Sequence, residues 1–307
     1  MNGNAVAWRR WGVSIAVVGP GAIGSTVAAC LHQAGRTPLL CGRTALDGLD
    51  VRPDPTILGG ERIVVPARVR TDPGEVRQPV ELVLLAVKAT QISHASAWLE
   101  TLCDHNTTVC VLQNGVEQVE LIQPHCTLST VIPAVVWCPA ETQPGGWVRL
   151  RGQPELTLPS AGGPVATVLT DAGWKVSITD DFVSAAWHKL LTNAVSGLMV
   201  LTMRRSGMFR RDDVFRLSRT YLEECLAVAR AEGANLGDDV ITKILMRLRN
   251  APPDVATSML GDREAGKPLE WDIRNGVILR KARKHGLPAP VSEVIVPLLA
   301  TASDGPG

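Results

Sequence analysis

One hexapeptide constrains this chain more than any other feature. Gly19-Pro20-Gly21-Ala22-Ile23-Gly24 has the spacing GxGxxG, directly after the apolar run Ser14-Ile15-Ala16-Val17-Val18 and directly before a stretch of helical pattern, Gly24 to Gln33. In that context the glycines have separate tasks. The first permits a tight turn, the second lets a pyrophosphate approach the backbone, and the third lets the helix pack close to the strand. The helix N-terminus then offers N–H groups and a positive dipole end to the phosphates. A glycine-rich turn with no ligand is the plainer alternative.

The rest of the first half has the alternation such a motif requires. Leu82-Val83-Leu84-Leu85-Ala86-Val87 and Thr108-Val109-Cys110-Val111-Leu112 are nearly all apolar, as expected of strands covered on both faces of a parallel sheet. A helical pattern over Gln91 to Leu102 lies between them, which is the βαβ signature. From about Thr142 to Ser177 prolines and glycines crowd in, and short runs such as Trp147-Val148-Arg149-Leu150 read as hairpin-like strands appended to the sheet. Beyond Asp181 apolar residues fall at helical spacing over Phe182 to Arg204, Asp212 to Glu232, Asp238 to Leu248 and Pro268 to Lys284. The expected architecture is α/β, with a Rossmann-like dinucleotide-binding domain over 1–179 and an all-helical substrate and catalytic domain over 180–307. Asp180 or Asp181 would cap the first helix of the second domain.

Charge and cysteine content narrow the function classes. Lys and Arg total 31 against 30 for Asp and Glu, so a general polyanion-binding surface, and with it nucleic acid, is not expected. No apolar run reaches the ~20 residues of a membrane span. Trp8-Arg9-Arg10-Trp11 invites a signal-peptide reading, but Val13 to Val18 is too short for a signal core and runs into the glycine motif, so the first ten residues read as a loose leader. The seven cysteines form no CxxC pair, which fits reduced thiols in cytoplasm and no metal site.

The choice of dinucleotide is read at the end of the second strand. The candidate strand Pro38-Leu39-Leu40-Cys41 is followed by Gly42-Arg43-Thr44, and the first carboxylate, Asp47, lies farther along. An acidic residue at the tip would hold ribose hydroxyls; the Arg43 fork suits a 2′-phosphate instead, so NADP(H) is expected.

With these features in place, the chain resembles the ketopantoate reductase (2-dehydropantoate 2-reductase) family over nearly its whole length, from about Ile15 to Thr301. The resemblance is carried by ordered blocks: the glycine loop, Ala86-Val87-Lys88-Ala89-Thr90-Gln91, Gln113-Asn114-Gly115-Val116, His188-Lys189-Leu190-Leu191-Thr192-Asn193, Ser258-Met259-Leu260-Gly261-Asp262, and Gly266-Lys267-Pro268-Leu269-Glu270-Trp271-Asp272 through Asn275-Gly276. It implies reduction of a 2-oxo acid to the 2-hydroxy acid with NADPH. It implies that Gly19 to Gly24, Lys88, Gln91, Asn114 and Glu270 contact the cofactor, that Asn114, Asn193 and Ser258 bind the substrate, and that Lys189 is the general acid, tuned by Glu270. Physical chemistry is consistent with this. Lys88 and Asn114 follow buried strands at their carboxyl ends, where α/β sheets bind ligands. Lys189 and Asn193 are four apart and share a helix face. An ammonium supplies both the proton and the charge that a carbonyl oxygen needs as it becomes an alkoxide. Each residue also has a plainer reading: solvated charges for Lys88, Lys189 and Glu270, a turn asparagine for Asn114, a helix cap for Ser258.

The pattern fails at one place. The family continues the lysine helix with a second asparagine and a proline, where this chain has Gly197 and Leu198. Gly197 has no side chain to read a substrate hydroxyl, so the reaction class is firmer than the substrate, and weaker discrimination for ketopantoate is expected. Two other functions remain open at this stage: a different two-domain NAD(P)-dependent hydroxy-acid dehydrogenase, and a non-catalytic NADP-sensing protein. A homodimer is compatible with the sequence, which does not itself give the oligomeric state.

Overall fold

The computed structural model describes residues 14–305; the Trp8-Arg9-Arg10-Trp11 segment and the leader assigned to residues 1–10 lie outside the described residues. The chain opens with β1 (Ile15–Val18), α1 (Ala22–Gln33) and β2 (Leu39–Cys41). There follow β3 (Leu49–Pro53), β4 (Ile63–Val65), β5 (Val69–Arg70), β6 (Leu82–Leu85), α2 (Ile92–Leu102), β7 (Thr108–Val111), α3 (Gln118–Ile122) and β8 (Thr130–Pro133). Six of these strands form one sheet in the order β5-β2-β1-β6-β7-β8, and every pairing in it is parallel. That order, winding outward in both directions from β1, is the doubly wound dinucleotide-binding topology. β1 and β6 are buried along their whole length, as strands covered on both faces must be. Their alternate residues feed two cores: Ile15, Val17, Leu82 and Leu84 pack on the α1 side, while Ala16, Val18, Val83 and Leu85 pack on the α2 side.

The proline- and glycine-rich middle departs from expectation. It contains β9 (Val135–Trp137), β10 (Ala140–Thr142), β11 (Val148–Leu150), β12 (Glu155–Pro159), α4 (Gly163–Asp171) and β13 (Lys175–Thr179). β10 and β11 do pair as an antiparallel hairpin, but they are not appended to the parallel sheet. They join β3 and β4 in a separate four-stranded sheet, with Val148 beside Val51 in a parallel pairing. The physical reason lies in α1, where every residue from Gly24 to Leu31 is buried. A helix buried on all sides needs cover beyond the parallel sheet, and β3, β4, β10 and β11 all pack on it. Pro164, one of the prolines of this segment, stands in the first turn of α4, where its missing N–H costs nothing.

The helical part comprises α5 (Phe182–Val195), α6 (Gly197–Thr202), α7 (Asp212–Ala231), α8 (Asp239–Asn250), α9 (Ser258–Glu264), α10 (Val277–Lys284) and α11 (Pro290–Asp304). Two predicted helices are interrupted. The stretch Phe182 to Arg204 breaks at Ser196, whose hydroxyl donates back to the Thr192 carbonyl, 2.7 Å away. The stretch Pro268 to Lys284 becomes helical only at Trp271 and passes through a wide π turn, Asp272–Gly276, before α10. The helices close around one core containing Leu190, Leu191, Tyr221, Leu222, Met259 and Ile278. By contacts the chain forms two compact units. One runs to Gln113 and takes in Glu117–Phe182; the other is Val183 onward together with Asn114–Val116. All seven cysteines carry free thiols.

Candidate active site

The first unit presents a cradle at the carboxyl ends of β1, β2 and β6. Gly19 has φ +92, a conformation that favours glycine, and a Cβ there would stand 2.6 Å from Val87 Cγ1. A Cβ on Gly24 would stand 2.1 Å from the Gly19 carbonyl oxygen, so the helix can approach the strand only because this residue has no side chain. Gly21 is different: a Cβ there meets nothing within 4 Å. The loop is thus closed at its first and third glycines and open at its second, the arrangement a pyrophosphate would need.

The other residues expected at this cradle are arranged around it. The Gly19 N–H donates to the Cys41 carbonyl at 2.8 Å, which ties the loop to the end of β2. Gly42 packs so closely on Pro20 that a Cβ would lie 2.9 Å from its Cδ, and the exposed Arg43 follows at once. Val87, which touches Gly19, is followed by Lys88 and by the short turn Ala89–Gln91, where the Gln91 N–H donates to the Lys88 carbonyl at 2.8 Å. Gln113, buried at the end of β7, donates through Nε2 to the Val87 carbonyl at 2.9 Å. The sequence did not single out Gln113 for this task.

The second unit gathers Asn114, Asn193, Ser258 and Glu270. Asn114 Nδ2 donates to Glu270 Oε2 at 3.4 Å, and Asn193 Nδ2 donates to Asn114 Oδ1 at 3.3 Å. Gly115, at φ +106, lets the Asn114–Val116 segment lie on Ile273 of the π turn. Lys189 stands one helical turn before Asn193 on α5 and is half-buried, as Asn193 is, while Ala186, Leu190 and Ala194 face the core. The helix therefore carries Lys189 and Asn193 along the edge of an apolar face.

Sequence reasoning missed the residue that joins Ser258 to this group. Arg274 donates through Nη2 to Glu270 Oε2 at 3.0 Å and to Ser258 Oγ at 3.1 Å. The ion pair is buried, with side chains 4% and 6% exposed. Burying two charges costs several kcal/mol each, so such a pair is poor evidence for stability and better evidence for a task. Its signal was present: a lone arginine among Ile273, Val277 and Ile278, four residues after the glutamate. Asn275 holds the same turn in place, donating to the Ala194 carbonyl and to the Tyr221 hydroxyl oxygen, both at 2.9 Å. It also fills the space at Gly197, where a Cβ would lie 2.9 Å from Asn275 Nδ2. The position that lacks the family asparagine is therefore packed against Asn275 rather than left hollow.

Three comparisons bear on this arrangement. Residues 15–163 match the family model described as ketopantoate reductase PanE/ApbA, and residues 181–303 match that of its C-terminal part. A 2-dehydropantoate 2-reductase of Mycobacterium tuberculosis is 60% identical over 295 residues, covering 95% of this chain and 99% of the relative. One from Caulobacter vibrioides is 35% identical over 293 residues, covering 94% and 99%. The crystal structure of a PanE/ApbA family ketopantoate reductase from Ralstonia eutropha superposes with a TM-score of 0.85 at 31% identity, over 95% of this chain and 98% of that one.

Proposed function

Because the chain belongs to the ketopantoate reductase family, whose members are oxidoreductases, we propose that it reduces a 2-oxo acid, with ketopantoate the first candidate, to the 2-hydroxy acid using NADPH. The single observation that carries the reading is the polar cluster of the second unit, in which the buried Glu270 accepts hydrogen bonds from Asn114 and from Arg274, and Arg274 in turn donates to Ser258.

The glycine loop fits a dinucleotide: Gly21 leaves room for the pyrophosphate, and the N-terminus of α1 faces it with N–H groups. Arg43 is the group for a 2′-phosphate, and Lys88 and Gln91 lie on the neighbouring turn. When bound, the reduced nicotinamide supplies a hydride to C2 of the oxo acid. The chain's own residues then handle the oxygen. Lys189 Nζ donates a proton to the O2 atom as negative charge develops there, an interaction that belongs chiefly to the transition state. Asn193, one turn along, holds the same end of the substrate, and the Ser258 hydroxyl holds its carboxylate. Glu270 is the acceptor that keeps Asn114 in register.

The reading extends to a cytoplasmic enzyme with a small-molecule substrate. Among the described residues no helix is long and apolar enough to cross a membrane, and no group of His, Cys, Asp and Glu is placed to hold a metal. The test is an NADPH oxidation assay with ketopantoate and a panel of 2-oxo acids, repeated with NADH. Turnover with NADPH and a 2-oxo acid is expected; tight NADPH binding without turnover on any of them would contradict the reading and favour a sensor.

A further inference from the structure

We propose that Arg274 is a positioning residue of the substrate site, acting through Ser258 and Glu270 rather than on the reacting atoms. The inference rests on the reading of this cluster as the 2-oxo acid site.

A guanidinium has donors and no acceptor. Both contacts of Arg274 Nη2 are therefore donations, and Ser258 Oγ is the acceptor in the 3.1 Å contact. A hydroxyl that accepts from a cation keeps its own proton for another partner and becomes a better donor, because charge-assisted bonds polarise one another along a chain. The partner it suits is an anionic oxygen, such as the carboxylate of a 2-oxo acid. Arg274 thus turns Ser258, an exposed serine at the start of α9, into a directed donor.

The same cation fixes the polarity of the rest of the cluster. Glu270 Oε2 accepts from Arg274 at 3.0 Å. An ionised carboxylate can only accept, so Asn114 must present its NH2 group to it. Its Oδ1 then faces Asn193, which must present NH2 in turn, as the bond at 3.3 Å records. One charge at the end of the chain therefore orders two side-chain amides whose orientations would otherwise be interchangeable.

The backbone is built for this. Ile273, Arg274, Asn275 and Gly276 are all buried, and all lie within the π turn. The π turn widens the helix where they sit, and such turns recur at functional sites. Asn275 anchors the turn to the Ala194 carbonyl, next to Asn193 on α5, so the position of Arg274 is tied to the helix that carries Lys189. A buried cation with an unpartnered Nε is costly, which fits a residue held there for a task.

The experiment is steady-state kinetics of the full chain with NADPH and a 2-oxo acid, for wild type, R274M, R274K, S258A and R274M/S258A. R274M and S258A should each raise KM for the oxo acid about tenfold, the scale of one charge-assisted bond, with KM for NADPH unchanged. The double variant should be no worse than R274M alone, because the directed Ser258 donor is already lost once its guanidinium partner is removed. R274K keeps a charge beside Glu270 and with it the fold, so it keeps the test standing where R274M does not fold; it should recover part of the loss in KM. An R274M or R274K variant with wild-type KM overturns the proposal. So does a double variant near 100-fold, the product of independent effects, or a parallel loss of NADPH binding. A wild type that turns over no 2-oxo acid overturns the reading of the site itself, and this inference with it.

Discussion

Adding the same methyl group at two places in the glycine loop should produce opposite defects. At Gly24 an alanine Cβ would stand 2.1 Å from the Gly19 carbonyl oxygen and 3.2 Å from Ala86 Cβ. The first neighbour is backbone and cannot rotate away, so the strand and helix must separate. Overpacking of this kind costs about 1–3 kcal/mol or more, and a contact this short belongs at the top of that range. Alanine returns up to about 1 kcal/mol as a better helix former than glycine. The net loss for Gly24→Ala is about 2 kcal/mol or more, which lowers Tm by about 4–8 °C in a domain of this size. At Gly21 the methyl meets nothing within 4 Å, and the backbone, at φ −78 and ψ −159, is one alanine adopts freely. The only folding cost is that of alanine in place of glycine at a helix N-cap, at most about 1 kcal/mol. The methyl nevertheless projects into the space assigned to the pyrophosphate, so the dinucleotide should bind about 10- to 100-fold more weakly, the affinity equivalent of the same overpacking range. Thermal unfolding without ligand and calorimetric titration with NADPH separate the two. Equal loss of Tm in both variants would refute the packing argument, and full NADPH affinity in Gly21→Ala would refute the assignment of the open space.

Two further expectations follow from charge. Arg43→Ala removes the group assigned to the 2′-phosphate, worth roughly 1.5–3 kcal/mol; NADPH affinity should fall about 10- to 100-fold and NADH affinity little, and a wild type that binds both equally would contradict the assignment. In Glu232, burial opposes ionisation, but hydrogen bonds from His285, Lys284 and Lys281 outweigh it and hold the carboxyl at about 2, below its ordinary 4.5. A depressed folded value means that the stabilisation is fully present above pH 4.5 and is lost as the pH falls from there toward 2. Glu232→Gln should flatten the acid limb of a stability curve in that window; an unchanged limb would show that the cluster contributes nothing.

What could be read from the sequence was what is local in it. The glycine loop, the buried strands β1, β6 and β7, and the shared face of Lys189 and Asn193 each lie within a few residues, and period and spacing suffice to find them. The four-stranded sheet was not legible, because β11 pairs with β3 nearly a hundred residues earlier and nothing in Val148-Arg149-Leu150 names its partner. The helix over Gly163–Asp171 was hidden by Gly162, Gly163 and Pro164, which look like loop punctuation but here start a helix. At the site, Asn114, Asn193, Ser258 and Glu270 came from matching blocks, and the link between Ser258 and Glu270 came from Arg274, which the last block spans without giving it a role. A charged residue inside an otherwise apolar helical pattern was the available clue.

The central claim is that Lys189 supplies the proton to the oxygen formed at C2, and kcat of a folded Lys189→Ala variant tests it most directly. Because the interaction strengthens as charge develops, kcat should fall about 10²–10⁴-fold, roughly 3–5 kcal/mol, while NADPH binding stays near that of the wild type. Arginine at this position should not rescue it, since a guanidinium does not give up its proton and its fork does not suit a site built for an ammonium. A Lys189→Ala enzyme that keeps more than about a tenth of wild-type kcat, well outside the range for a lost general acid, would place the proton donor elsewhere, with Lys88 the next residue to replace.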